Sequence, residues 1–173
     1  VVEWDNWQFR LSWNSRSGLQ LYNIKYYDST IEGDNIQDKY RSILYKASIS
    51  EAMVSYNAGS EILFARNYLS GDAFHYPWQR RFAPIFKAEN GIAGGDVPGY
   101  AQLLDMFASD TNGNPSKLEN TIAIYEQDGD ILWRTATPIL DEDTVRGQRG
   151  RQLVVRTVFQ GAYYTWIVSW IFN

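Results

Sequence analysis

Apolar and polar side chains alternate over much of the first fifty residues, and this pattern predicts three β-strands. Residues 7–13 alternate with a period of two, as in a half-buried strand, and residues 22–26 do the same after a turn at 15–18. These two runs predict a hairpin. A polar loop at 28–38 precedes the third run, residues 43–49. The apolar positions are Trp7, Phe9, Leu11 and Trp13, then Tyr22, Ile24 and Tyr26, then Ile43, Tyr45, Ala47 and Ile49.

The middle of the chain has no clear period. Residues 50–54 fit either one helical turn or the end of a strand, and residues 57–59 predict a turn. Residues 67–99 hold many glycines and three of the five prolines. A loop of this length inside a compact domain is usually functional or disordered. Its aromatic side chains argue against disorder. They are Phe74, Tyr76, Trp78, Phe82 and Phe86.

Strand patterns return near residue 100. Residues 100–108 predict a strand, and a turn rich in Asn, Asp and Gly follows at 110–115. The apolar run 122–125 predicts a buried strand, and 131–133 predicts another after a turn at Asp128-Gly129.

The C-terminal third combines a charged segment with a long apolar one. Residues 141–151 predict a loop, whereas residues 153–172 predict one long strand or two, apolar on both faces and therefore central to a sheet. Aromatic residues make up 16% of the chain and favour pleated, half-buried surfaces. We therefore expect an all-β fold, a portion of a large antiparallel β-sandwich.

Composition excludes several classes of function. The formal net charge is −4, and no basic cluster exceeds Arg146, Arg149 and Arg151, so we expect no nucleic-acid partner. No apolar run has the length of a membrane span, so we expect no membrane partner either. The absence of cysteine excludes disulfides, thiolate metal sites and a cysteine nucleophile, and leaves the cellular compartment open.

Few residues suggest chemistry on their own. The single histidine, His75, cannot build a tri-histidine metal site, and a Ser-His-Asp triad would have to use it; a loop histidine is the simpler interpretation. Glu126, Asp128 and Asp130 lie within five residues and suggest acid–base chemistry or calcium binding. Beside a glycine, a solvated turn is the simpler interpretation of these three carboxylates.

Five segments are spread along nearly the whole chain: 2–10 (VEWDNWQFR), 16–24 (RSGLQLYNI), 41–51 (RSILYKASISE), 120–134 (NTIAIYEQDGDILWR) and 151–155 (RQLVV). In their order and spacing these segments resemble the catalytic domain of the copper amine oxidases. Two of them depart from the family pattern, because Ser42 stands where the family has proline and Tyr125 where it has histidine. The resemblance implies that residues 1–173 are the N-terminal part of such a catalytic domain, truncated at both ends.

In that family, a tyrosine within an Asn-Tyr-Asp/Glu motif is oxidised to topaquinone by bound copper and O₂. Counting from the 151–155 segment, the resemblance assigns Tyr164 to this position. Its neighbours differ from the motif, because Tyr163 replaces the asparagine and Thr165 replaces the acid. The simpler alternative is that Tyr164 is one more aromatic residue on a buried strand.

The resemblance also assigns the substrate pocket. Tyr56 corresponds to the tyrosine that hydrogen-bonds the quinone, and Tyr68 to the aromatic residue that gates the substrate channel. Ser70 then occupies the position of the catalytic aspartate, although a serine hydroxyl is too weak a base to remove the substrate proton. Asp72 could substitute only if the loop were re-registered.

Three functions stay open. In the first, the parent protein is an amine oxidase-like enzyme repurposed for small-molecule chemistry, with Tyr56, Tyr68 and Tyr164 orienting the substrate. In the second, the full-length form is a working copper/topaquinone primary amine oxidase; in the third, the domain is a non-catalytic β scaffold. The resemblance implies no cofactor in this chain, with copper and topaquinone confined to a full-length parent. It also implies a homodimer of the parent and, as partner, the missing C-terminal part of the same domain.

Overall fold

A computed structural model describes residues 1–14, 17–49, 53–55, 65–67, 95–109, 112–135, 146–161 and 164–173. Within these ranges the regular structure is almost entirely β, which confirms the predicted all-β class. The strands are β1 (Val2–Trp4), β2 (Trp7–Asn14), β3 (Gly18–Tyr27), β4 (Tyr40–Ser48), β5 (Met53–Ser55), β6 (Ala65–Asn67), β7 (Gln102–Ser109), β8 (Pro115–Thr135), β9 (Arg146–Gly161) and β10 (Tyr164–Phe172), and a 3₁₀ helix spans Ile36–Lys39.

The first sheet, sheet A, is an antiparallel meander in the order β1-β2-β3-β4. The predicted hairpin is confirmed, because β2 and β3 pair with Leu11 opposite Leu21 and Trp13 opposite Leu19. Gly18 has φ of +66°, a left-handed conformation that favours glycine, and it closes the turn into β3. The third predicted strand is also present as β4 and starts at Tyr40.

The second sheet, sheet B, is an antiparallel meander in the order β10-β9-β8-β7. Its long β8 corrects the sequence analysis. The turn predicted at Asp128-Gly129 is wrong, because β8 continues to Thr135 and accommodates these residues in a bulge that faces β9. Asp130 has φ of +66° at this bulge. Extra residues in one strand of an antiparallel pair bend the strand without ending it.

The charged loop predicted at 141–151 is also partly wrong. Its last six residues, 146–151, form the start of β9. They lie on an exposed part of the hairpin, where Arg149 and Arg151 form ion pairs with carboxylates of β8. Arg149 and Arg151 therefore fit a strand at this point because each pairs with a carboxylate on the neighbouring strand. Residues 141–145 lie outside the described residues.

The apolar run 153–172 forms two strands. β9 lies between β8 and β10, as predicted for a central strand. β10, in contrast, lies at the edge of sheet B within the described part of the chain, so the predicted central position of residues 164–172 is not seen among the described strands. The ambiguous segment 50–65 contains the short strand β5 and the first residue of β6, and the two strands pair with Met53 opposite Asn67.

The two sheets pack face to face through one apolar core. Its rings stack closely: the Phe9 and Phe172 ring centroids are 4.3 Å apart and the ring planes differ by 4°. This contact joins the two sheets into a sandwich. Sheet A contributes Phe9, Leu19, Leu21 and Ile24, and sheet B contributes Ile122, Leu153, Val155 and Phe172.

A second, smaller core covers the opposite face of sheet B. Ala123, Tyr125, Val154 and Val158 are buried there. The covering residues are Val97, Ala101 and Leu103. Because β9 is buried on both faces, residues 153–158 lack the apolar–polar alternation of a half-buried strand.

Apolar side chains are exposed where the described sheets end. Ile43, Leu44 and Tyr45 of edge strand β4 are exposed. The one-sided burial expected for residues 43–49 is therefore wrong at this part of the strand. Ile167 and Ile171 of β10 are exposed on the other sheet. Large uncovered apolar residues on edge strands mark surfaces that other polypeptide normally covers.

Candidate functional site

The strand assigned to the quinone tyrosine begins at that residue. Tyr164 is the first residue of β10 and pairs with Gly161 of β9, and Thr165 pairs with Gln160. Tyr163 lies outside the described residues, between the two strands. The backbone therefore carries Tyr164 on a strand that follows the 153–155 segment in an antiparallel hairpin.

The other predicted site residues lie in the long middle segment. Tyr56 directly follows β5 and Tyr68 directly follows β6 in sequence, but both lie outside the described residues. Ser70 and Asp72, with the lone His75, also lie outside them. Their proximity to Tyr164 stays a prediction.

Sheet A holds the far end of β10 by three contacts. The Phe172 ring stacks on Phe9 and meets the Trp7 ring edge-on, with centroids 5.3 Å apart. The Trp7 indole Nε1 donates a hydrogen bond of 2.9 Å to the backbone carbonyl of Asn173. The strand that starts at Tyr164 is thus anchored at its other end in the core between the sheets.

Three acidic residues of β8, Glu126, Asp128 and Asp130, serve structural roles. The Glu126 carboxylate accepts hydrogen bonds from both the Nε (2.7 Å) and Nη2 of Arg151, and from the Trp4 indole at 2.7 Å. Arg149 contacts Asp128 in the same two-pronged way, and its Nη2 lies 3.8 Å from Asp130. Bidentate pairing of this kind is a strong form of charged hydrogen bond.

These contacts set the protonation of the carboxylates. The hydrogen bonds from Arg151, then from Trp4, lower the pKa of Glu126, and the hydrogen bond from Arg149 lowers the pKa of Asp128. A carboxyl group with a lowered pKa is a poor general acid near neutral pH. In the described ranges no three His, Cys, Asp or Glu side chains come together as metal ligands, so the carboxylates of β8 do not form a calcium site there.

A cleft of about 580 Å³ opens beside this ion-pair network. Its lining includes Trp4, Asp5, Ile131, Arg149 and Asn173. Its described lining comes from β1 and the turn after it, from β8 and β9, and from the last residue of the chain.

The outer face of sheet B carries a cluster that sequence reasoning missed. The Arg156 guanidinium lies over the Tyr125 ring, 5.4 Å from its centroid, and its Nε donates a 2.9 Å hydrogen bond to the Ser169 hydroxyl. Burial raises the pKa of Tyr125, and the nearby positive charge of Arg156 opposes this effect. Only the strand register, which sets Arg156 opposite Ser169, reveals this cluster; no local motif signals it.

Fold and core together define an antiparallel β-sandwich domain. Its strand β10 begins at Tyr164 and ends at Phe172, which lies in the core between the sheets. The family model for the copper amine oxidase enzyme domain matches residues 1–173. The chain therefore belongs to the copper amine oxidase family, as its sequence segments suggested.

Individual relatives agree with this assignment. A primary amine oxidase of Pisum sativum is 28% identical over 173 residues, and one of Lens culinaris is 29% identical; each alignment covers 99% of this chain and 24% of the relative. A primary amine oxidase of Arthrobacter sp. (strain P1) is 27% identical over 170 residues, which cover 98% of this chain and 23% of the relative. The chain thus spans about a quarter of the length of these relatives.

Solved structures support the fold. A copper-containing benzylamine oxidase from Hansenula polymorpha superposes with a TM-score of 0.72 at 23% identity, covering 98% of this chain and 23% of that one. An Aspergillus nidulans amine oxidase gives 0.70 at 22% identity, covering 98% and 20%. Among the described residues, no helix is long and apolar enough to span a bilayer.

Proposed function

We propose that this chain is part of a copper amine oxidase-like enzyme that has been repurposed for small-molecule chemistry without amine oxidation. The observation that carries the proposal is Ser70, which stands where the resemblance expects the proton-abstracting aspartate. A hydroxyl cannot take the place of a carboxylate as a base near neutral pH, because its own pKa is far too high. The step in which the family removes a proton from the substrate carbon therefore lacks its base.

The residues around the quinone position support the same proposal. Tyr163 and Thr165 flank Tyr164 in place of an asparagine and an acid. Changes at the base and at both flanks would remove the oxidative chemistry and leave the pocket aromatics. In this proposal, Tyr56, Tyr68 and Tyr164 bind and orient the substrate through their rings and hydroxyl groups. Asp72 is the nearest carboxylate along the loop to replace the missing base.

Copper does not fit the donor set of these 173 residues. Binding at a nitrogen site needs several imidazoles, and the sequence has one histidine, His75. A copper site, and with it topaquinone at Tyr164, would need histidines from polypeptide outside residues 1–173. No step of the proposed chemistry is routed through the metal.

The proposal includes a longer parent protein. We propose that residues 1–173 are the N-terminal part of an enzyme domain truncated at both ends, whose remaining C-terminal part packs on the exposed edges of sheets A and B. One line of support is length, because this chain covers only 24% of each of the two plant relatives named above. The other is the set of exposed apolar residues on β4 and β10. The parent is proposed to be a homodimer that acts on a small molecule.

A second candidate function is primary amine oxidation by the full-length form. The specific observation in its favour is the identity of 27–29% to proteins named primary amine oxidases, spread over at least 98% of this chain. Divergence of this size occurs within a family that keeps one activity. This candidate requires Tyr164 to be modified despite its altered flanks.

The two candidates differ in the fate of Tyr164. The test uses the longest natural form of the polypeptide, purified after incubation with copper and air. Our proposal predicts that the denatured protein gives no redox-cycling stain with glycinate and tetrazolium, and that peptide mass spectrometry finds Tyr164 as an unmodified tyrosine. A positive stain together with a modified Tyr164 would establish the second candidate and end the proposal.

A restoration series separates loss of the base from loss of the quinone motif. Variant Ser70→Asp restores only the base, and variant Tyr163→Asn/Thr165→Asp restores only the motif. We expect the motif variant alone to gain the quinone stain, and the combination of all three changes to gain peroxide release with benzylamine. Peroxide release from the unaltered protein would contradict the proposed repurposing.

A further inference from the structure

Among the described residues, the half-buried cation Arg156 contacts neutral groups and no carboxylate. Its Nε donates to the Ser169 hydroxyl at 2.9 Å, and its guanidinium lies 5.4 Å from the Tyr125 ring centroid. Within the described ranges, its two Nη groups have no hydrogen-bond acceptor and no carboxylate lies in ion-pair reach. Arg149 and Arg151, on the same strand, each have a bidentate carboxylate. Arg156 is more buried than either, so its missing partner matters more.

The surroundings of Arg156 form an open apolar strip. Ile167 and Ile171 of β10 lie two residues to either side of Ser169 and are 63% and 50% exposed. In the sheet register they lie opposite Val158 and Val154, which belong to the smaller core of sheet B. The strip therefore continues a buried apolar surface, with one guanidinium at its centre.

The strip also borders an open sheet edge. Among the described strands, β10 pairs with β9 on one side only. A strand edge presents unpaired backbone N–H and C=O groups that another strand can bind. One occupant of this edge could therefore use the backbone groups of residues 167–171, the apolar side chains of Ile167 and Ile171, and the positive charge of Arg156 beside Ser169.

We propose that one further β-strand binds along β10 and carries an aspartate or glutamate that pairs with Arg156, flanked at two-residue spacing by apolar residues that contact Ile167 and Ile171. The strand comes from the same protein outside residues 1–173; this source rests on the proposal that the chain is part of a longer enzyme domain. Relatives about four times as long leave ample polypeptide to supply it. A strand fits because its side chains repeat every two residues, as the strip does.

Charge argues against a second copy of this chain as the occupant. Two β10 strands paired antiparallel about Ser169 would bring two Arg156 guanidinium groups onto one face of the joined sheet. Each guanidinium reaches across to its own Ser169, so the two positive charges would lie closer together than their backbones do and would repel each other. A carboxylate-bearing strand instead supplies the charge-assisted hydrogen bonds that the Nη groups lack.

The test uses the 173-residue chain and short peptides. The probe has seven residues, with a central aspartate, valine two positions to either side and threonine between; matched peptides carry asparagine or lysine at the centre. Binding is followed through the backbone amide NMR signals of residues 167–171. We expect the aspartate peptide to bind on the order of tenfold more tightly than the asparagine peptide, the effect of one charged hydrogen-bonded pair, and the lysine peptide to bind least.

Three variants test whether Arg156 causes the preference. Arg156→Met keeps an apolar side chain over Tyr125 and should abolish the preference for aspartate. Ser169→Asp supplies a carboxylate within the chain and should abolish it too. Arg134→Met removes an exposed arginine elsewhere in sheet B and should leave the preference unchanged.

Equal binding of all three peptides, or no response at 167–171 to any of them, would overturn the inference. Dimerisation of the chain through β10 in the absence of peptide would overturn it as well, in favour of a second copy. None of these results depends on the redox state of Tyr164. Failure here therefore leaves the proposed function standing, and failure of the quinone test leaves this measurement unaffected.

Discussion

The stacked rings of Phe9 and Phe172 provide the sharpest test of how the two sheets are held together. Phe172 is 7% exposed, and its ring contacts Phe9 face to face and Trp7 edge-on. Replacing it with alanine would cost about 3–5 kcal/mol, a large part of the roughly 5–15 kcal/mol that stabilises an ordinary domain. Leucine is the better probe because the protein should stay folded.

The expected effect of Phe172→Leu follows from these contacts. The variant loses the ring–ring interactions, worth about 0.5–1.5 kcal/mol, and some packing around a smaller side chain. We expect the free energy of unfolding to fall by about 1–2 kcal/mol in total. The neighbouring control, Ile171→Val, changes a side chain that is 50% exposed and should cost about 0.5 kcal/mol or less.

The assay is urea unfolding of a double-mutant cycle. Phe9→Leu, Phe172→Leu and the double variant are compared with the unaltered chain at equal m-values. We expect a coupling energy of about 0.5–1.5 kcal/mol, because each single variant already removes the stack. Coupling below about 0.3 kcal/mol, the usual error of additivity, would refute the claim that this ring pair joins the sheets.

Three further predictions concern sheet B. Ser169→Asp should raise the unfolding free energy by about 0.5–1 kcal/mol through a cross-strand pair with Arg156. The increase in the urea midpoint should shrink in high salt, and a lower midpoint that does not depend on salt would contradict this prediction. Glu126 has a lowered pKa, so its contribution to stability is complete above the ordinary glutamate pKa of about 4.3 and is lost as pH falls through the lower folded value. Glu126→Gln should therefore lose that contribution at neutral pH and show a shallower fall in Tm on acidification; parallel acid profiles would refute this. Gly129→Ala should destabilise by about 1–3 kcal/mol in thermal melts, because its Cβ would lie 3.0 Å from the Gly150 backbone, whereas the control Gly95→Ala, with open space around it, should melt like the unaltered chain.

The fold was predictable from sequence for strands that bury only one of their two faces. The alternation of residues 7–13 identified β2 because one face of this strand contacts the core and Arg10 points to solvent. The sequence pattern gave the wrong structure at Asp128-Gly129 and at residues 146–151, where residues typical of turns and loops lie within strands. There the structure is set by cross-strand ion pairs and a bulge, which depend on register. Register is a property of two segments together, and neither segment reveals it alone.

The site was predictable only through family resemblance. Counting along the 151–155 segment assigned Tyr164, and the structure describes that residue at the start of a strand. Nothing in local periodicity would have singled it out from the chain's other 11 tyrosines. Ser70 and Tyr68 belong to an aperiodic segment, for which the pattern of apolar residues predicts no regular element.

The strand order within each sheet has a consequence for folding kinetics. Both four-stranded sheets join strands that are neighbours in sequence, so each can grow from its own hairpins. Contact between the sheets, in contrast, brings together residues near the two chain ends, and closing so large a loop is entropically slow. We expect the two meanders to form first and to dock late, so that weakening the inter-sheet rings mainly accelerates unfolding and barely slows folding.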